Sequence, residues 1–380
     1  MTFDIIIIGA GIAGSACALE CAQQGLKVAI VEGDKPGAAA TSAGMGHVVA
    51  MDDTPAHLAL TTYSRSLWQE QAATVLPEDA AYQSRGTIWV AADDEEMIEV
   101  HARLARYEAA GIPVELLGAH TLAKEEPNLR DDLAGALFVP GDGICHPPAA
   151  AAFYLTEARR LGTQFYAARA ISAASGKVRL ANGSLLQAEK IVLAAGVECD
   201  LLPSLPIRKR KGHLVITAPR PGFLHHQLVE LAYLKSAHRF DRESVAFNVQ
   251  PRPNGQVMIG ASRQFDNEDP GVDVHILHRL LARAYLYLPG LAEIEIETVR
   301  TGFRAATPDK LPLIGPATGL SDDPSLWLAA GFEGLGITCS PGAAKLLVDG
   351  ILGRDSIIDP TPYLPSRFAH PHPNHTQETA

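Results

Sequence analysis

The order of apolar and polar residues divides the chain into two kinds of segment. Residues 4–32 begin with four consecutive apolar β-branched residues, a run typical of a strand that is buried on both faces. A helix of small residues follows at about residues 13–24, and a second apolar strand ends at Glu32. Residues 213–303 instead alternate apolar and polar positions. That alternation predicts an antiparallel sheet with one solvated face.

Other elements follow from helical periodicity and from turn residues. The pattern predicts helices at about residues 56–75, 94–110, 148–161 and 274–287, and a strand at 85–93. An Asn-Gly turn predicts a hairpin within residues 177–188. The apolar run 191–196 predicts a buried strand that ends in a tight turn at the carboxyl edge of a sheet. Residues 33–53 have side chains too small to pack as a helix, so we expect a loop there.

Three glycines between the first strand and its helix, Gly9, Gly11 and Gly14, form the pattern GxGxxG. In a βαβ unit the first allows a tight turn, the second lets a pyrophosphate approach the backbone, and the third lets the helix lie close to the strand. The N–H groups at the helix N-terminus then face the phosphates. Glu32 follows Gly14 by eighteen residues, where an acid accepts hydrogen bonds from the ribose of adenosine. Because an acid at this position disfavours a 2′-phosphate, the sequence argues against NADP.

The charge balance restricts the possible partners. The chain of 380 residues has a net charge of −11 at pH 7, which argues against a nucleic-acid partner and against docking on anionic lipid. No apolar run has the length of a membrane-spanning helix, and the N-terminus leads straight into a strand without a basic leader. We therefore expect a cytoplasmic protein without an integral membrane segment.

The cysteines are odd in number and scattered without a CxxC pair: Cys17, Cys21, Cys145, Cys199 and Cys339. This spacing indicates a reducing compartment and no disulfide framework. Cys17 and Cys21 share a helix face but supply too few ligands for a metal, so we predict core residues and no metal site. Three histidines lie in residues 370–380. We expect a frayed end there, with a metal-binding tail as the alternative.

Six motifs resemble one known family by their residues and their order. They are GAGIAG at 9–14, Glu32, SAGMG at 42–46, IVLAAG at 191–196, GFRAATPDKLPLIGP at 302–316 and LAAGFEGLGIT at 328–338. Over about residues 3–364 the chain resembles the D-amino acid oxidase superfamily of FAD-dependent amino acid oxidoreductases. Within it, the chain looks most like the D-hydroxyproline dehydrogenase branch.

The resemblance implies FAD as the cofactor, held without a covalent bond because no cysteine lies beside Arg304. For the nucleotide part of FAD, it implies that the pyrophosphate is contacted by Gly9, Gly11, Ile12, Ala13 and Gly14, the ribose by Glu32, and the adenosine–pyrophosphate side by Ala195 and Gly196. The ribityl chain and isoalloxazine are implied to be contacted by Ser42, Ala43, Gly44 and Met45. The flavin N1–C2 edge is implied to be contacted by Gly334, Leu335, Gly336, Ile337 and Thr338. Backbone donors at a helix N-terminus would stabilise negative charge on the reduced flavin.

The resemblance also implies a substrate site. Arg304 falls on the arginine that clamps the substrate carboxylate in glycine-oxidase-like members, and a guanidinium fork matches a carboxylate. The alternative is a structural arginine. Asn248 replaces a substrate-contacting tyrosine, so it is a candidate substrate contact and glycine itself is disfavoured as the substrate. His47 and His213 are candidates for the pocket wall, or else are structural histidines. Because hydride transfer from a neutral amine needs no protein base, we assign none.

The predicted architecture is α/β, a Rossmann-like FAD-binding domain with an inserted α+β substrate domain built on an antiparallel sheet. The FAD-binding domain is predicted at residues 1–80, 141–205 and 300–364, the substrate domain at 81–140 and 206–299, and a disordered tail at 365–380.

The resemblance further implies dehydrogenation of a D- or cyclic amino acid by hydride transfer from Cα to flavin N5. The favoured substrate is cis-4-hydroxy-D-proline or D-proline, and the acceptor is a quinone or a partner redox protein. The alternatives are an oxygen-using oxidase of glycine, sarcosine or another D-amino acid, and the FAD subunit of a hetero-oligomeric dehydrogenase.

Overall fold

The computed structural model of the chain describes residues 2–198, 200–231 and 243–369. The helices in these residues are α1 (Ile12–Gln23), α2 (Ala39–Ser42), α3 (Pro55–Thr74), α4 (Asp94–Ala109), α5 (Ala119–Glu125), α6 (Pro147–Arg160), α7 (Val274–Tyr287) and α8 (Gly336–Leu352). The strands are β1 (Thr2–Ile8), β2 (Val28–Glu32), β3 (His47–Val48), β4 (Thr87–Ala91), β5 (Glu115–Gly118), β6 (Gly135–Val139), β7 (Gly143–Ile144), β8 (Gln164–Ala167), β9 (Ala170–Ala174), β10 (Lys177–Leu180), β11 (Leu185–Leu193), β12 (Arg208–Thr217), β13 (Gln227–Glu230), β14 (Glu243–Pro251), β15 (Val257–Gln264), β16 (Ile296–Ala306), β17 (Leu313–Pro316) and β18 (Leu326–Ala330).

Two compact units divide the chain. Unit 1 comprises Met1–Thr41, Pro148–Arg208 and Ala305–Ala380, and unit 2 comprises Ser42–Pro147 and Lys209–Arg304. Residues 42–80, which we predicted for the FAD-binding domain, therefore group with unit 2. The reason is local pairing within that unit: β3 pairs with β7, and Arg65 of α3 forms a buried ion pair with Asp142 at 2.7 Å.

Unit 1 contains an eight-stranded sheet in the spatial order β17-β18-β11-β1-β2-β8, with β10 paired to β11 and β9 to β10. β1 pairs in parallel with both β11 and β2. Its residues Ile5–Ile8 are buried, as their apolar run predicted. The Asn-Gly hairpin is confirmed between β10 and β11, where Ser184 N–H donates to Asn182 Oδ1 at 3.0 Å.

Helix starts in unit 2 follow from side-chain caps. Thr54, Asp93 and Asp273 accept backbone N–H bonds at the starts of α3, α4 and α7. All three helices were predicted. The short helix α5 was not, because Gly118 at its N-cap makes no side-chain cap bond. The loop predicted at residues 33–53 contains one helical turn, α2, and the strand β3.

Unit 2 contains a second eight-stranded sheet in the order β16-β12-β15-β14-β13-β4-β6-β5. β13 pairs in parallel with β4, whereas β14 pairs antiparallel with both β13 and β15. One face carries an apolar cluster that packs on α7, in which the Phe247 and Tyr287 rings stack at 4.4 Å.

The opposite face of this sheet, which we call the polar face, carries Gln227 and Gln250, both fully buried, and Asn248. The predicted solvated face is therefore wrong. Two of these side chains donate to protein in place of water: Gln250 Nε2 donates to Met45 O at 2.9 Å, and Gln227 Nε2 donates to Gly143 O at 3.0 Å.

The disordered tail predicted at residues 365–380 begins too early in the chain. Pro365–Phe368 forms a 3₁₀ helix, and Arg367 pairs with Asp309 at 2.6 Å. Residues 370–380, with the three histidines, lie outside the described residues, as does Cys199.

Candidate active site

The GxGxxG loop of unit 1 has close backbone contacts. Gly9 has a φ of +110°, and a Cβ on it would lie 2.5 Å from Ala194 O. A Cβ on Gly14 would lie 2.0 Å from Gly9 O. Only glycine fits at these two positions. A Cβ on Gly11 would meet only Thr41 Oγ1, at 3.3 Å, so that side of the loop stays open for a ligand.

Backbone donors are concentrated at the start of α1. Gly11 is the N-cap and makes no side-chain cap bond. Ile12 N–H donates to Thr41 Oγ1 at 3.1 Å, whereas the N–H groups of Ala13 and Gly14 have no protein acceptor within the described residues. These unsatisfied donors at a helix N-terminus are the arrangement that binds a pyrophosphate. The loop therefore fits a dinucleotide.

Glu32 has a structural contact that its spacing did not predict. Its Oε2 accepts from Ala10 N–H at 2.8 Å, and its Oε1 accepts from Asp34 N–H at 2.9 Å. A carboxylate offers about four acceptor sites, so two backbone donors leave capacity for ribose hydroxyls. Glu32 thus holds the glycine loop while keeping the predicted ribose chemistry.

Two further segments of unit 1 carry predicted cofactor residues. Ala195 follows β11 and lies close to the glycine loop, since a Cβ added to Gly9 would lie 3.1 Å from Ala195 Cα. The chain then turns at Gly196, which has a φ of +63°. Gly334 and Leu335 precede α8, which begins at Gly336 without a side-chain cap, and Ile337 and Thr338 lie in its first turn. Pro341 lacks an N–H to donate to Ile337 O, and Ser340 Oγ donates to that carbonyl instead, at 3.0 Å.

Arg304 lies on β16 in unit 2, and its side chain extends across the neighbouring strand β12. Nη1 donates to Ser262 O at 3.0 Å, and a Cβ on Gly212 would lie 2.5 Å from the same nitrogen. The side chain therefore reaches over β12 to β15, and glycine at position 212 provides the space.

The loop at residues 42–48 lies on the polar face. A Cβ on Gly302 would lie 2.4 Å from Ala43 Cβ, and one on Gly260 would lie 2.8 Å from Met45 Sδ. Met45 also packs against Leu214, Ile216 and Met258, which belong to the same face. Ser42 and Gly44 lie in this loop, so the segment predicted to line the flavin rests on two glycines, Gly260 and Gly302, while Gly212 on the same face lies under Arg304.

His47 joins this polar face through Gln227 of β13. Its Nδ1 hydrogen-bonds to Gln227 Oε1. Burial lowers the pKa of His47 below its ordinary 6.5, so the ring is neutral at pH 7. His47 and Asn248, both predicted from the sequence, thus belong to the same polar face.

His213 has a structural role. Its Nδ1 bonds to Ser262 Oγ at 3.0 Å, and its Nε2 accepts from Asp273 N–H at 3.0 Å, at the N-cap of α7. Burial lowers the pKa of His213, in keeping with a neutral ring whose Nε2 accepts. Of the two alternatives left open for this residue, these contacts favour the structural one.

Cysteines, metal ligands and membrane helices add no further site. Cys17, Cys21, Cys145 and Cys339 are free and buried, and burial raises the pKa of the Cys339 thiol far above its usual range. Across the described ranges, no group of three or more metal-ligating side chains occurs. No helix in the described part of the chain has the length and apolar character needed to cross a bilayer.

Sequence reasoning missed the side chains that support these residues. Thr41, Gln227, Gln250 and Ser262 make the contacts described above, but none stands in a motif. Gln227, Gln250 and Ser262 lie on strands far apart in the chain, so only the pairing of the strands brings them to the predicted residues, whereas Thr41 lies in α2. For the three strand residues, the one available signal was a polar residue inside an apolar strand.

Comparison with known proteins gives full-length matches. Glycine oxidase of Geobacillus kaustophilus is 28% identical over 378 residues, covering 95% of this chain and 96% of that protein. Hydrogen cyanide synthase subunit HcnC of Pseudomonas aeruginosa is 25% identical over 425 residues, covering 97% and 96%. The crystal structure of glycine oxidase from Geobacillus kaustophilus aligns with a TM-score of 0.85 and 26% identity, covering 96% of this chain and 99% of that one.

A family model gives the assignment. The model described as DAO, FAD dependent oxidoreductase, matches residues 4–350. That range includes the glycine loop, Glu32, Asn248 and Arg304. The predicted α/β fold class agrees with the crystal structure of glycine oxidase from Geobacillus kaustophilus. The chain therefore belongs to the DAO family of FAD dependent oxidoreductases, and its cofactor is FAD.

Proposed function

We propose that the protein oxidises a D-configured or cyclic amino acid, with cis-4-hydroxy-D-proline or D-proline as the favoured substrate. The observation that carries this proposal is Arg304, whose guanidinium lies on the polar face over Gly212. A carboxylate that leaves water needs a charged partner, and a guanidinium fork supplies two parallel hydrogen bonds. Family membership and relatives named glycine oxidase support an amino acid as the donor.

In this proposal unit 1 binds the nucleotide part of FAD. The N–H groups of Gly11, Ala13 and Gly14 would hold the pyrophosphate, and Glu32 would accept hydrogen bonds from the ribose hydroxyls. FAD would supply the acceptor for the hydride that leaves Cα of the amino acid. Contacts of Ser42–Met45 and Gly334–Thr338 with the flavin follow from the family resemblance and stay predictions. Non-covalent attachment fits the buried state of Cys339.

The side chains of unit 2 orient the amino acid and exclude water. Arg304 holds the carboxylate and so fixes the position of Cα, which is an orientation effect. Asn248 contacts another polar group of the substrate, and His47 forms part of the wall. Loss of hydride from Cα of the neutral amine leaves an iminium, which becomes the imine when its N–H proton passes to solvent water. A cyclic imine is released as such, and an acyclic one hydrolyses to a 2-oxo acid.

Two alternatives differ in how the electrons leave. An oxidase of glycine, sarcosine or another D-amino acid would pass them to oxygen, which relatives named glycine oxidase support. The FAD subunit of a larger dehydrogenase would pass them to a partner redox protein, which the relative named as a hydrogen cyanide synthase subunit supports. We favour a dehydrogenase that uses a quinone or a partner protein, on the branch resemblance. A reducing, cytoplasmic location likewise stays a prediction.

An anaerobic screen tests the proposal. The purified yellow protein is mixed with D- and L-amino acids, including both proline derivatives and glycine, and bleaching of the flavin absorbance is followed. We expect the cyclic D-amino acids to reduce the flavin fastest. No reduction by any amino acid would contradict the proposed function.

The reduced enzyme then tests the electron acceptor. It is mixed separately with air, with a quinone and with a redox dye. Reoxidation by quinone or dye much faster than by oxygen is expected. Rapid, stoichiometric peroxide formation in air would favour the oxidase instead.

A further inference from the structure

The guanidinium of Arg304 is held between two pieces of backbone. A Cβ on Gly212 would lie 2.5 Å from Arg304 Nη1, 2.8 Å from Nη2 and 2.9 Å from Cζ. Because three of its atoms come this close, the group as a whole, and not one nitrogen, lies on the Gly212 backbone. Nη1 also donates to Ser262 O at 3.0 Å. The position of the guanidinium therefore depends on where Gly212 and Ser262 lie relative to each other.

The strands β12 and β15, which carry these two residues, are out of regular register at this point. Lys211 pairs with Gln264 and Val215 with Ile259, so β15 has one residue more than β12 between the two pairs. An extra residue of this kind interrupts the ladder of backbone hydrogen bonds. Ser262 lies in the interrupted stretch. Its carbonyl oxygen can therefore accept from a side chain, as it does from the guanidinium.

The hydroxyl of Ser262 joins the two strands across this interruption. His213 N–H donates to Ser262 Oγ at 2.8 Å, in place of the carbonyl that a regular ladder would offer. That N–H belongs to the peptide between Gly212 and His213, so the hydroxyl fixes the backbone on which the guanidinium lies. Ser262 thus makes both contacts: its carbonyl binds the guanidinium, and its hydroxyl binds the backbone beneath it.

The imidazole of His213 holds that hydroxyl in place, and a backbone donor determines its tautomer. His213 Nε2 lies 3.0 Å from Asp273 N, and a backbone N–H only donates, so Nε2 is the acceptor. The hydrogen of the neutral ring is then on Nδ1, which lies 3.0 Å from Ser262 Oγ and donates to it. Ser262 Oγ therefore accepts two hydrogen bonds from one residue. Turning the hydroxyl away would leave two buried donors unpaired, which costs free energy.

We propose that Ser262 is a positioning residue for substrate binding, and that His213 holds its side chain in place. This inference rests on the proposed function and deepens it, because it identifies what orients Arg304 towards the carboxylate. A guanidinium has five N–H donors in one plane, and the bond to Ser262 O uses one of them. Fixing one nitrogen over a fixed backbone restricts the whole fork, so the side chain loses little further freedom when a carboxylate binds.

The first experiment measures how strongly the holoenzyme prefers a carboxylate. It is mixed anaerobically with D-proline or with D-prolinamide, in which a neutral carboxamide replaces the carboxylate. The ratio of the two second-order rate constants of flavin reduction is compared among variants, so differences in amine basicity cancel. In Ser262→Ala the guanidinium is no longer held in place. We expect this ratio to fall roughly 10-fold, the scale of one hydrogen bond to a charged group.

The ratio separates positioning from general damage, because a loss of stability slows both substrates equally. Ser262→Thr keeps the hydroxyl and should retain most of the wild-type ratio. The matched control Ser244→Ala removes a half-buried hydroxyl from β14 of the same sheet and should retain all of it. FAD content and Tm are measured for each variant.

An unchanged ratio in a folded, FAD-loaded Ser262→Ala protein would overturn the proposal, even if both rates fall. A different outcome marks failure of the proposed function. If the wild type itself shows no preference for D-proline over D-prolinamide, Arg304 does not bind a substrate carboxylate. That result would reject the proposed function, and this inference with it.

The second experiment tests the hydrogen bonds of His213 without turnover. Nitrogen NMR of ¹⁵N-histidine-labelled holoenzyme distinguishes the two neutral tautomers, and His213→Gln identifies the His213 signals by their loss. We expect hydrogen on Nδ1 and none on Nε2 in the wild type, and faster exchange of that hydrogen with water in Ser262→Ala. Hydrogen on Nε2 in the wild type would overturn the role assigned to His213 and Ser262.

Discussion

The glycine loop of unit 1 and the polar face of unit 2 both present polar groups, but from different parts of the chain. The loop uses backbone N–H groups and absent side chains within residues 9–14, supported by Glu32 and Thr41. The polar face uses side chains from distant strands, among them Gln227, Asn248 and Arg304. A site made of backbone is disturbed when a side chain is added, whereas a site made of side chains is disturbed when one is removed.

The largest effect is expected from removing a side chain on the polar face. Arg304→Ala should cost about 2–5 kcal/mol in kcat/KM, because the substrate carboxylate loses its charged partner. Arg304→Lys keeps the charge but loses the fork, so both affinity and alignment should suffer. FAD content should not change. The measurement is the flavin reduction rate against substrate concentration, with the exposed Arg220→Ala as the control. Saturation at the wild-type concentration and rate would show that Arg304 does not bind the carboxylate.

The converse change adds one methyl group to the glycine loop. The Cβ of Gly14→Ala would lie 2.0 Å from Gly9 O, which is a backbone atom, and no side-chain rotation can move the Cβ away from it. We expect a loss of about 3 kcal/mol in the free energy of unfolding, the upper range for overpacking, together with reduced FAD content. Urea unfolding and flavin absorbance per protein measure these. Gly118→Ala, with no atom within 4 Å of its Cβ, is the control. Full FAD content at wild-type stability would contradict the backbone account.

Glu32 tests whether the glycine loop depends on a side chain after all. In Glu32→Gln an amide N–H replaces one acceptor and faces the N–H of Ala10 or Asp34. FAD affinity should fall by about 2 kcal/mol, the scale of hydrogen bonds to a charged group. The affinity is measured by titrating the apoprotein with FAD. Asp34→Asn removes a neighbouring exposed charge and should leave the affinity nearly unchanged. Equal affinities in the two variants would mean that the ribose is held elsewhere.

The smallest effect concerns a polar side chain of unit 2 with a structural role. Burial lowers the pKa of His213, so its stabilising contribution is complete above the ordinary pKa of 6.5 and is lost as the pH falls towards the folded-state value. His213→Gln keeps an acceptor for Asp273 N–H and does not titrate. The Tm of the wild type should therefore fall more steeply between pH 7 and pH 5 than that of the variant. Parallel Tm curves would show that protonation of His213 does not affect stability.

The same contrast explains how much could be predicted from the sequence. Residues 4–32 form the glycine loop by local contacts, so motif and spacing predicted its shape, and the Arg304 motif identified one side chain of the polar face. Gln227 could not be predicted, because it meets His47 only through a strand 180 residues away. The solvated face was predicted wrongly for a related reason. Alternation shows which residues are polar, but it does not show whether water or protein satisfies them.

The three glycines of the polar face also affect how the enzyme can change. Gly212 lies against Arg304, Gly260 against Met45 and Gly302 against Ala43. Because these glycines have no side chain, each of the three neighbouring residues can lie close to the sheet. Glycine and alanine codons differ by a single base, and a methyl at Gly212 or Gly260 would displace only the flexible end of a long side chain. Under the proposed function, the substrate site could therefore change in small steps, one methyl group at a time, while the nucleotide loop stays unchanged.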